Sequence, residues 1–323
     1  MRNFFFQRAY MRSRATPFLF ISHPLRSCFS RVRFFSHTSV TCRPANPLTD
    51  PVVLDRLLWD YRHHPQEEEG GGVGPTSERV PTLLCSACLL DCNVAYHGRG
   101  GAHGRRKTAF GFVKSVLSQR LRCIRLIPLC PEVQLLQLPV PRDPIRLETI
   151  QQHNHNDIGV FVSNKDHRCL LTYDSGGSDL QDCFNGPIPS HPNIPPTSEE
   201  VSLEALLSSV DGVVLKSRSP SCGLGDARVY DGSGPPPIKR GHNEKDYCPY
   251  IANQNGFFAQ LLKNEFARRN ETGMSITSEK RLCFDYPTLH EGFPTNNNNN
   301  EVYTPIRLFL NSVVKHFEQR DKK

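Results

Sequence analysis

The chain has 323 residues, of which 37% are hydrophobic, with 22 Gly, 26 Pro and a formal net charge of +7. That length allows one large domain or two small ones, and the polar, loop-rich composition excludes a compact all-helical bundle. No stretch approaches the ~20 consecutive apolar residues needed to cross a bilayer, which excludes a membrane-spanning helix.

The charge is unevenly placed. Residues 1–49 contain eight arginines, no lysine and no acid, the first acid being Asp50; the remaining 31 of the 39 basic residues face all 32 acidic ones. The body of the chain is therefore close to neutral, lacks the basic footprint of a DNA-binding domain, and makes DNA an unexpected partner. The acid-free segment over residues 1–43 is rich in Arg, Ser and Phe, the composition of a mitochondrial transit peptide. A transit peptide is expected over residues 1–35. Arg33-Phe34-Phe35-Ser36 resembles a matrix-protease site, with cleavage near Phe35 or Ser36. The apolar run Pro17-Phe18-Leu19-Phe20-Ile21 is too short for a secretory signal and has arginines on both sides. The expected address is the mitochondrial matrix, where twelve cysteines read as free thiols, metal ligands or catalytic groups rather than disulfides.

Residues 36–79 read as a disordered linker, with Glu67-Glu68-Glu69 followed by Gly70-Gly71-Gly72 and room for a short helix near Val53–Tyr61. The folded domain is expected over residues 80–323. Val80–Cys85 is a first strand. Lys107–Arg120 carries Phe110, Val113, Val116 and Leu117 at helical spacing, and Cys123–Leu129 is a second strand. Gly159–Ser163 is a candidate third strand. Ser202–Val210 reads as a helix and Gly212–Lys216 as a buried strand. Then come a helix over Gly256–Phe266, a short strand over Ser275–Thr277 and a closing amphipathic helix over Ile306–Gln319. Strands separated by helices predict an α/β fold, an open, mostly parallel sheet with helices on both faces. Two stretches, residues 149–200 and 233–255, read as long surface insertions, and Asn296–Asn300 as a disordered loop.

Three loops carry chemistry. The first strand runs into Ser86-Ala87-Cys88-Leu89-Leu90, the second into Cys130-Pro131-Glu132, and the Gly212–Lys216 strand into Ser217-Arg218-Ser219-Pro220-Ser221-Cys222-Gly223. In an open α/β sheet the carboxyl ends of the strands share one edge, and ligands bind there. That logic brings Cys88, Cys130 and Cys222 toward one site. Converging thiolates suit an iron–sulfur cluster with one iron left open, a zinc site, or simple burial. Cys85, Cys88 and Cys92 form a local C-x2-C-x3-C alternative, although Cys85 on the strand would face away from the loop. Gly98–Lys107 lacks the G-K-[ST] ending of a P-loop. Arg142 and Arg146 read as members of structural ion pairs, and His153 and His155 as solvent-exposed. Cys123, Cys169, Cys183, Cys248 and Cys283 belong to no motif.

Ser86–Leu90, Cys130-Pro131-Glu132 and Leu215–Gly223 resemble the signature of a former domain-of-unknown-function family that includes thiouracil desulfidases. Pro139–Leu147, Val229–Gly232, Gly256–Leu262 and Arg307–Gln319 resemble its supporting blocks, so the likeness covers most of residues 81–281 apart from the two insertions. The resemblance implies a 4Fe-4S cluster held by Cys88, Cys130 and Cys222 and supplied by iron–sulfur assembly machinery. It also implies a small thiolated base or nucleotide, or thio-modified RNA, as substrate. Glu132 matches the acid/base carboxylate and Ser219 the active-site serine. The chain departs from the family pattern at Asp91, where glycine is common, and at Ala95-Tyr96-His97-Gly98, where R-Y-D/N-G is usual. A non-catalytic iron–sulfur or sulfur-handling protein and a structural zinc protein are the alternatives at this level.

Overall fold

A computed structural model describes residues 48, 50–63, 79–98, 108–152, 155–162, 167–174, 176–196, 201–232, 250–270, 274–282 and 304–322. The expected transit peptide and its cleavage site, His153, Cys248, Cys283, the polyasparagine run and residues 99–107 lie outside these.

Four parallel strands form the first sheet. β1 (Thr82–Ser86), β2 (Arg125–Leu129), β6 (Gly212–Leu215) and β9 (Ser275–Ser278) stand in the order β2-β1-β6-β9. Residues on β1 and β6 are buried on both sides, which is why these strands read as unbroken apolar runs. The two-residue period divides them between two cores. Leu83, Cys85 and Val214 pack against α1 (Pro51–His63), the helix over residues 109–120 and α6 (Thr304–Arg320). Leu84, Val213 and Leu215 pack against α4 (Leu203–Ser208) and α5 (Phe257–Arg268). Helices therefore cover both faces, and the sheet is open. The expected helix over Lys107–Arg120 begins as α2 (Ala109–Phe112), capped by the Thr108 hydroxyl, and widens into a π-helix over Val113–Arg120.

A second sheet takes in parts of both stretches that read as insertions, together with flanking segments. β3 (Ile145–Gln152), β4 (His155–Val162), β5 (Cys169–Tyr173), β7 (Ala227–Tyr230) and β8 (Tyr250–Gln254) run in the order β5-β4-β3-β7-β8. All its pairings are antiparallel except β3 with β7. The candidate third strand near Gly159 thus exists as β4, but it belongs to this sheet and not to the parallel one. Ile145, Leu147, Ile158, Val160, Ala227 and Val229 point into the core shared with α4 and α5. Arg146 and Glu148 alternate with them and form a buried ion pair on the opposite face. A short helix, α3 (Leu180–Cys183), packs beside α5.

At the amino edge of the parallel sheet the Asp211 carboxylate is 0% exposed. It accepts a hydrogen bond from the Thr82 backbone N–H at 2.8 Å and pairs with Arg320 at 3.1 Å and His316 at 3.2 Å. This cluster pins α6 across the starts of β1 and β6.

Candidate active site

The carboxyl edge of the same sheet opens into a cavity of about 420 Å³. Cys88, Cys130, Cys222, Glu132 and Ser219 all line it, together with Tyr96, His97, Arg142, Lys216, Arg218 and Ser221. The structure therefore brings together all five residues singled out in the sequence. Cys85 lies in the core on the far face of the sheet and Cys92 is buried in a small cluster beside the first loop; neither lines the cavity. Cys123, Cys169 and Cys183 are free thiols away from it.

Each cysteine is delivered by a different turn. Cys88 sits on a 3₁₀ turn, Ala87–Leu90, that closes on Asp91 at φ 62°. Left-handed backbone favours glycine, and Asp is among the few other residues that adopt it readily. The departure at Asp91 thus keeps the turn, and the side chain ion-pairs with Lys114. Cys130 precedes a π-helical turn, Pro131–Leu135, with Pro131 at the position where its missing N–H costs nothing. The Cys130 N–H donates to Gln134 Oε1 at 3.0 Å. Cys222 ends the third loop, whose main chain is seated on α5. The Pro220 carbonyl accepts from Phe257 N–H, and the Ser221 carbonyl from Phe258 and Ala259 N–H. These bonds satisfy orphan donors of the first helical turn. The approach is so close that a Cβ on Gly256 would stand 2.4 Å from the Ser221 carbonyl carbon. This is the physical reason for a glycine at the head of that helix.

The three thiols feel one another. Burial pushes the Cys88 thiol up to about 12, with Cys130 and Glu132 adding to the rise and the Lys216 ammonium opposing it. Burial pushes Cys130 up to about 11; Glu132 adds to this, while nearby backbone N–H groups and Arg142 oppose it. Cys222 is raised well above the ordinary thiol range by burial, partly offset by a hydrogen bond with Ser86, and both other cysteines add to the rise. Burial and mutual repulsion both oppose the thiolate form here, so a metal bound to these residues has to displace protons.

Glu132 is held on both oxygens. Oε2 accepts from Arg142 Nη2 at 2.5 Å and Nε at 3.2 Å, and Oε1 accepts from the Ser221 hydroxyl at 2.5 Å. Arg142 also donates to the Val94 carbonyl at 2.9 Å, and its N–H to the Tyr96 carbonyl at 2.8 Å. The expectation that Arg142 makes an ion pair holds, and the partner is the candidate acid/base group itself. Through this arginine the carboxylate is tied to the first loop, where Tyr96, 50% exposed, meets His97 edge-on at 5.0 Å. Across the cavity Lys216 pairs with Glu279 at 2.6 Å, and Glu279 also accepts from the Ser217 N–H and hydroxyl. The sequence offers Arg142 only as a member of an ion pair and gives no sign of what Ser221 and Glu279 contact.

Among the described residues, no group of three His, Cys, Asp or Glu side chains is tight enough to hold a single ion. A multi-iron cluster places each cysteine on a different iron, so its ligands need to face one cavity and not one point. Three soft sulfur donors without an imidazole among the candidate ligands fit that group.

No protein-family model and no curated protein matches the chain. Among solved structures it is similar to the 4Fe-4S-dependent thiouracil desulfidase TudS. The identity is 21%, the match covers 62% of this chain and 93% of that one, and the TM-score is 0.33. A likeness that distant says nothing of activity, which has to come from the residues on the cavity wall.

Proposed function

We propose that this chain is a 4Fe-4S-dependent desulfidase that exchanges the sulfur of a thiolated pyrimidine for oxygen by hydrolysis. The substrate is a thiouracil-like base, nucleotide or thio-modified RNA, and the exchange involves no net redox change. The observation that carries the reading is the meeting of Cys88, Cys130 and Cys222 with Glu132 and Ser219 on one cavity at the carboxyl edge of the parallel sheet. Cys88, Cys130 and Cys222 would hold the cluster. Bound there, it would supply a soft Lewis acid for the thiocarbonyl sulfur and make that sulfur a better leaving group.

The chain's own residues do the rest. Arg142 fixes the Glu132 carboxylate in place. Glu132 takes a proton from the attacking water as general base. Ser219 orients the reacting groups from the third loop. Lys216 brings positive charge close to Cys88 and offsets part of the charge of bound thiolates. The products are the oxo-pyrimidine and sulfide, so atoms balance with water as the only co-reactant.

Anaerobic reconstitution followed by incubation with 2- and 4-thiouracil, the matching nucleotides and thio-modified RNA tests the reading. Equimolar sulfide and oxo-pyrimidine are expected from at least one substrate. Cluster-loaded protein that releases no sulfide from any of them refutes it. The N-terminal composition supports a matrix address and cluster supply by the organelle's assembly machinery. A reporter fused to residues 1–49 should enter mitochondria, and a diffuse cytosolic signal would refute that address.

A further inference from the structure

The stretch 149–200 reads in the sequence as a surface insertion, yet part of it is built into the supports of the cysteine-bearing turns. Phe184 and Ile188 are buried in the core shared with α5. The Ile188 N–H donates to the Val201 carbonyl at 3.0 Å, and Pro187 forms a bridge with Ser202. Phe184 stacks with Phe257, the ring centroids 6.0 Å apart. Phe257 is the residue whose N–H holds the Pro220 carbonyl of the third loop. The base of the stretch is therefore fixed against the same helical turn that seats the loop of Cys222.

From Ile188 the chain runs on to the other two turns. The Gln134 side chain, which is buried, makes the first link. Its Oε1 accepts from the Cys130 N–H at 3.0 Å, and its Nε2 donates to the Pro189 carbonyl at 3.3 Å. Farther on, Asn193 Nδ2 donates to the Asn93 carbonyl of the first loop at 3.0 Å. Ile194 follows, 5% exposed, with its N–H on the His191 carbonyl. It packs in a cluster whose other buried members, among the described residues, are Ala87, Cys92 and Val94 from the first loop and Cys130 and Val133 from the second. A side chain of the insertion thus stands where the two loops meet. Pro187, Pro189, Pro192, Pro195 and Pro196 fix φ along this stretch, which lowers the entropy lost in ordering it.

We infer that residues 186–196 form a brace that sets the spacing of the Cys88 and Cys130 turns, with Ile194 and Gln134 as its positioning residues. The two turns leave neighbouring strands, β1 and β2, whose pairing runs out at Ser86 and Leu129. Beyond that pair the chains part into separate turns, and the ladder no longer sets the distance between them. Ile194 offers apolar surface to both turns at once. Gln134 ties the second turn to the brace through the same amide that restrains the Cys130 main chain. Turns held in this way before a ligand arrives lose less freedom on binding it. The brace therefore keeps the two thiols in place for a shared ligand and slows its escape. Its existence rests on these contacts alone; its use in holding an iron–sulfur cluster rests on the proposed function.

Cys92 reports on the brace without being a proposed ligand, since it lies in the Ile194 cluster and does not line the cavity. Its alkylation by iodoacetamide can be followed by peptide mass spectrometry in the reduced, cluster-free, full-length protein. Ile194→Ala should speed it at least about tenfold, because truncating a buried isoleucine costs more than a tenfold change in local opening requires. Ile194→Val should restore most of the protection. Cys85, in the core on the far face of the sheet, should keep its wild-type rate. Gln134→Met removes both hydrogen bonds at similar volume and should speed Cys92 by a smaller factor; it carries the test if Ile194→Ala does not fold. In reconstituted protein, iron loss to bathophenanthroline should be fastest in Ile194→Ala, slower in Gln134→Met and slowest in the wild type. An unchanged Cys92 rate, or Cys92 and Cys85 accelerating in step, overturns the brace. Selective exposure of Cys92 with wild-type iron retention overturns its role in holding the site. Selective exposure of Cys92, with a wild type that takes up no iron, leaves the brace standing and refutes the cluster reading instead.

Discussion

At the amino edge of the parallel sheet, Asp211 is sealed between the Thr82 N–H, His316 and Arg320, with no exposure to solvent. At the carboxyl edge, Glu132 is held as firmly by Arg142 and Ser221, yet it lines a cavity and its hydrogen bonds lead on to Ser219. Both edges pay for burying a carboxylate by pairing it with arginine. The difference lies in what lies beyond the pair. Asp211 is linked to a backbone and to the closing helix, an arrangement that fixes structure. Glu132 is linked to the Ser221 hydroxyl on the cavity wall and stands within electrostatic reach of three thiols. The same pairing chemistry thus makes an anchor at one edge and, in the proposed reaction, a working group at the other.

The sharpest way to separate the two is to remove each acid. Asp211→Ala leaves the Arg320 charge and a buried backbone donor without their partner, which typically costs about 3–5 kcal/mol. Chemical denaturation should show that loss, while the iron content of the reconstituted protein stays unchanged. Glu132→Gln should do the converse to function. The cluster spectrum is expected to persist and sulfide release to fall at least about a hundredfold, roughly 2.7 kcal/mol of barrier. Loss of the cluster in this variant would mean that Glu132, like Asp211, is structural.

A third variant acts on the carboxyl edge through packing alone. Gly256→Ala places a methyl group against the Ser221 and Pro220 carbonyls, and backbone cannot move aside as a flexible side chain would. A destabilisation of about 1–3 kcal/mol is expected. Unlike Asp211→Ala, it should also lower iron retention, because it displaces the loop that ends in Cys222. The smallest effect is expected at Asp91. Asp91→Gly relieves a left-handed residue and gives up an ion pair with Lys114 that is only partly shielded from solvent. Stability should stay within about 1 kcal/mol and iron content should not change. A large loss would mean that the Asp91–Lys114 pair holds the first loop.

The carboxyl edge was more legible in the sequence than the amino edge, for a physical reason. Buried parallel strands leave continuous apolar runs such as Gly212–Leu215, and the residues that follow them fall at one edge by topology. Cys88, Cys130 and Cys222 could be placed together on that basis. Asp211 could not, because its partner His316 lies 105 residues away and no local pattern joins them. Ser221 escaped for the same reason, standing 89 residues from the carboxylate it touches. The second sheet was hidden by its own outer face. Arg146 and Glu148 stand on that face, and with Gln151-Gln152 following in the sequence they make β3 read as polar loop, although Ile145 and Leu147 point into the core.

The central claim is that three cysteines from three strand ends share one cluster. The most direct measurement is iron per chain after anaerobic reconstitution of the wild type and of five single Cys→Ser variants. A 4Fe-4S cluster predicts about four irons in the wild type, in Cys85→Ser and in Cys92→Ser, and near-complete loss in Cys88→Ser, Cys130→Ser and Cys222→Ser. Iron that survives in the Cys130 and Cys222 variants but disappears with Cys85 or Cys92 would contradict the claim and move the site to the local C-x2-C-x3-C cluster.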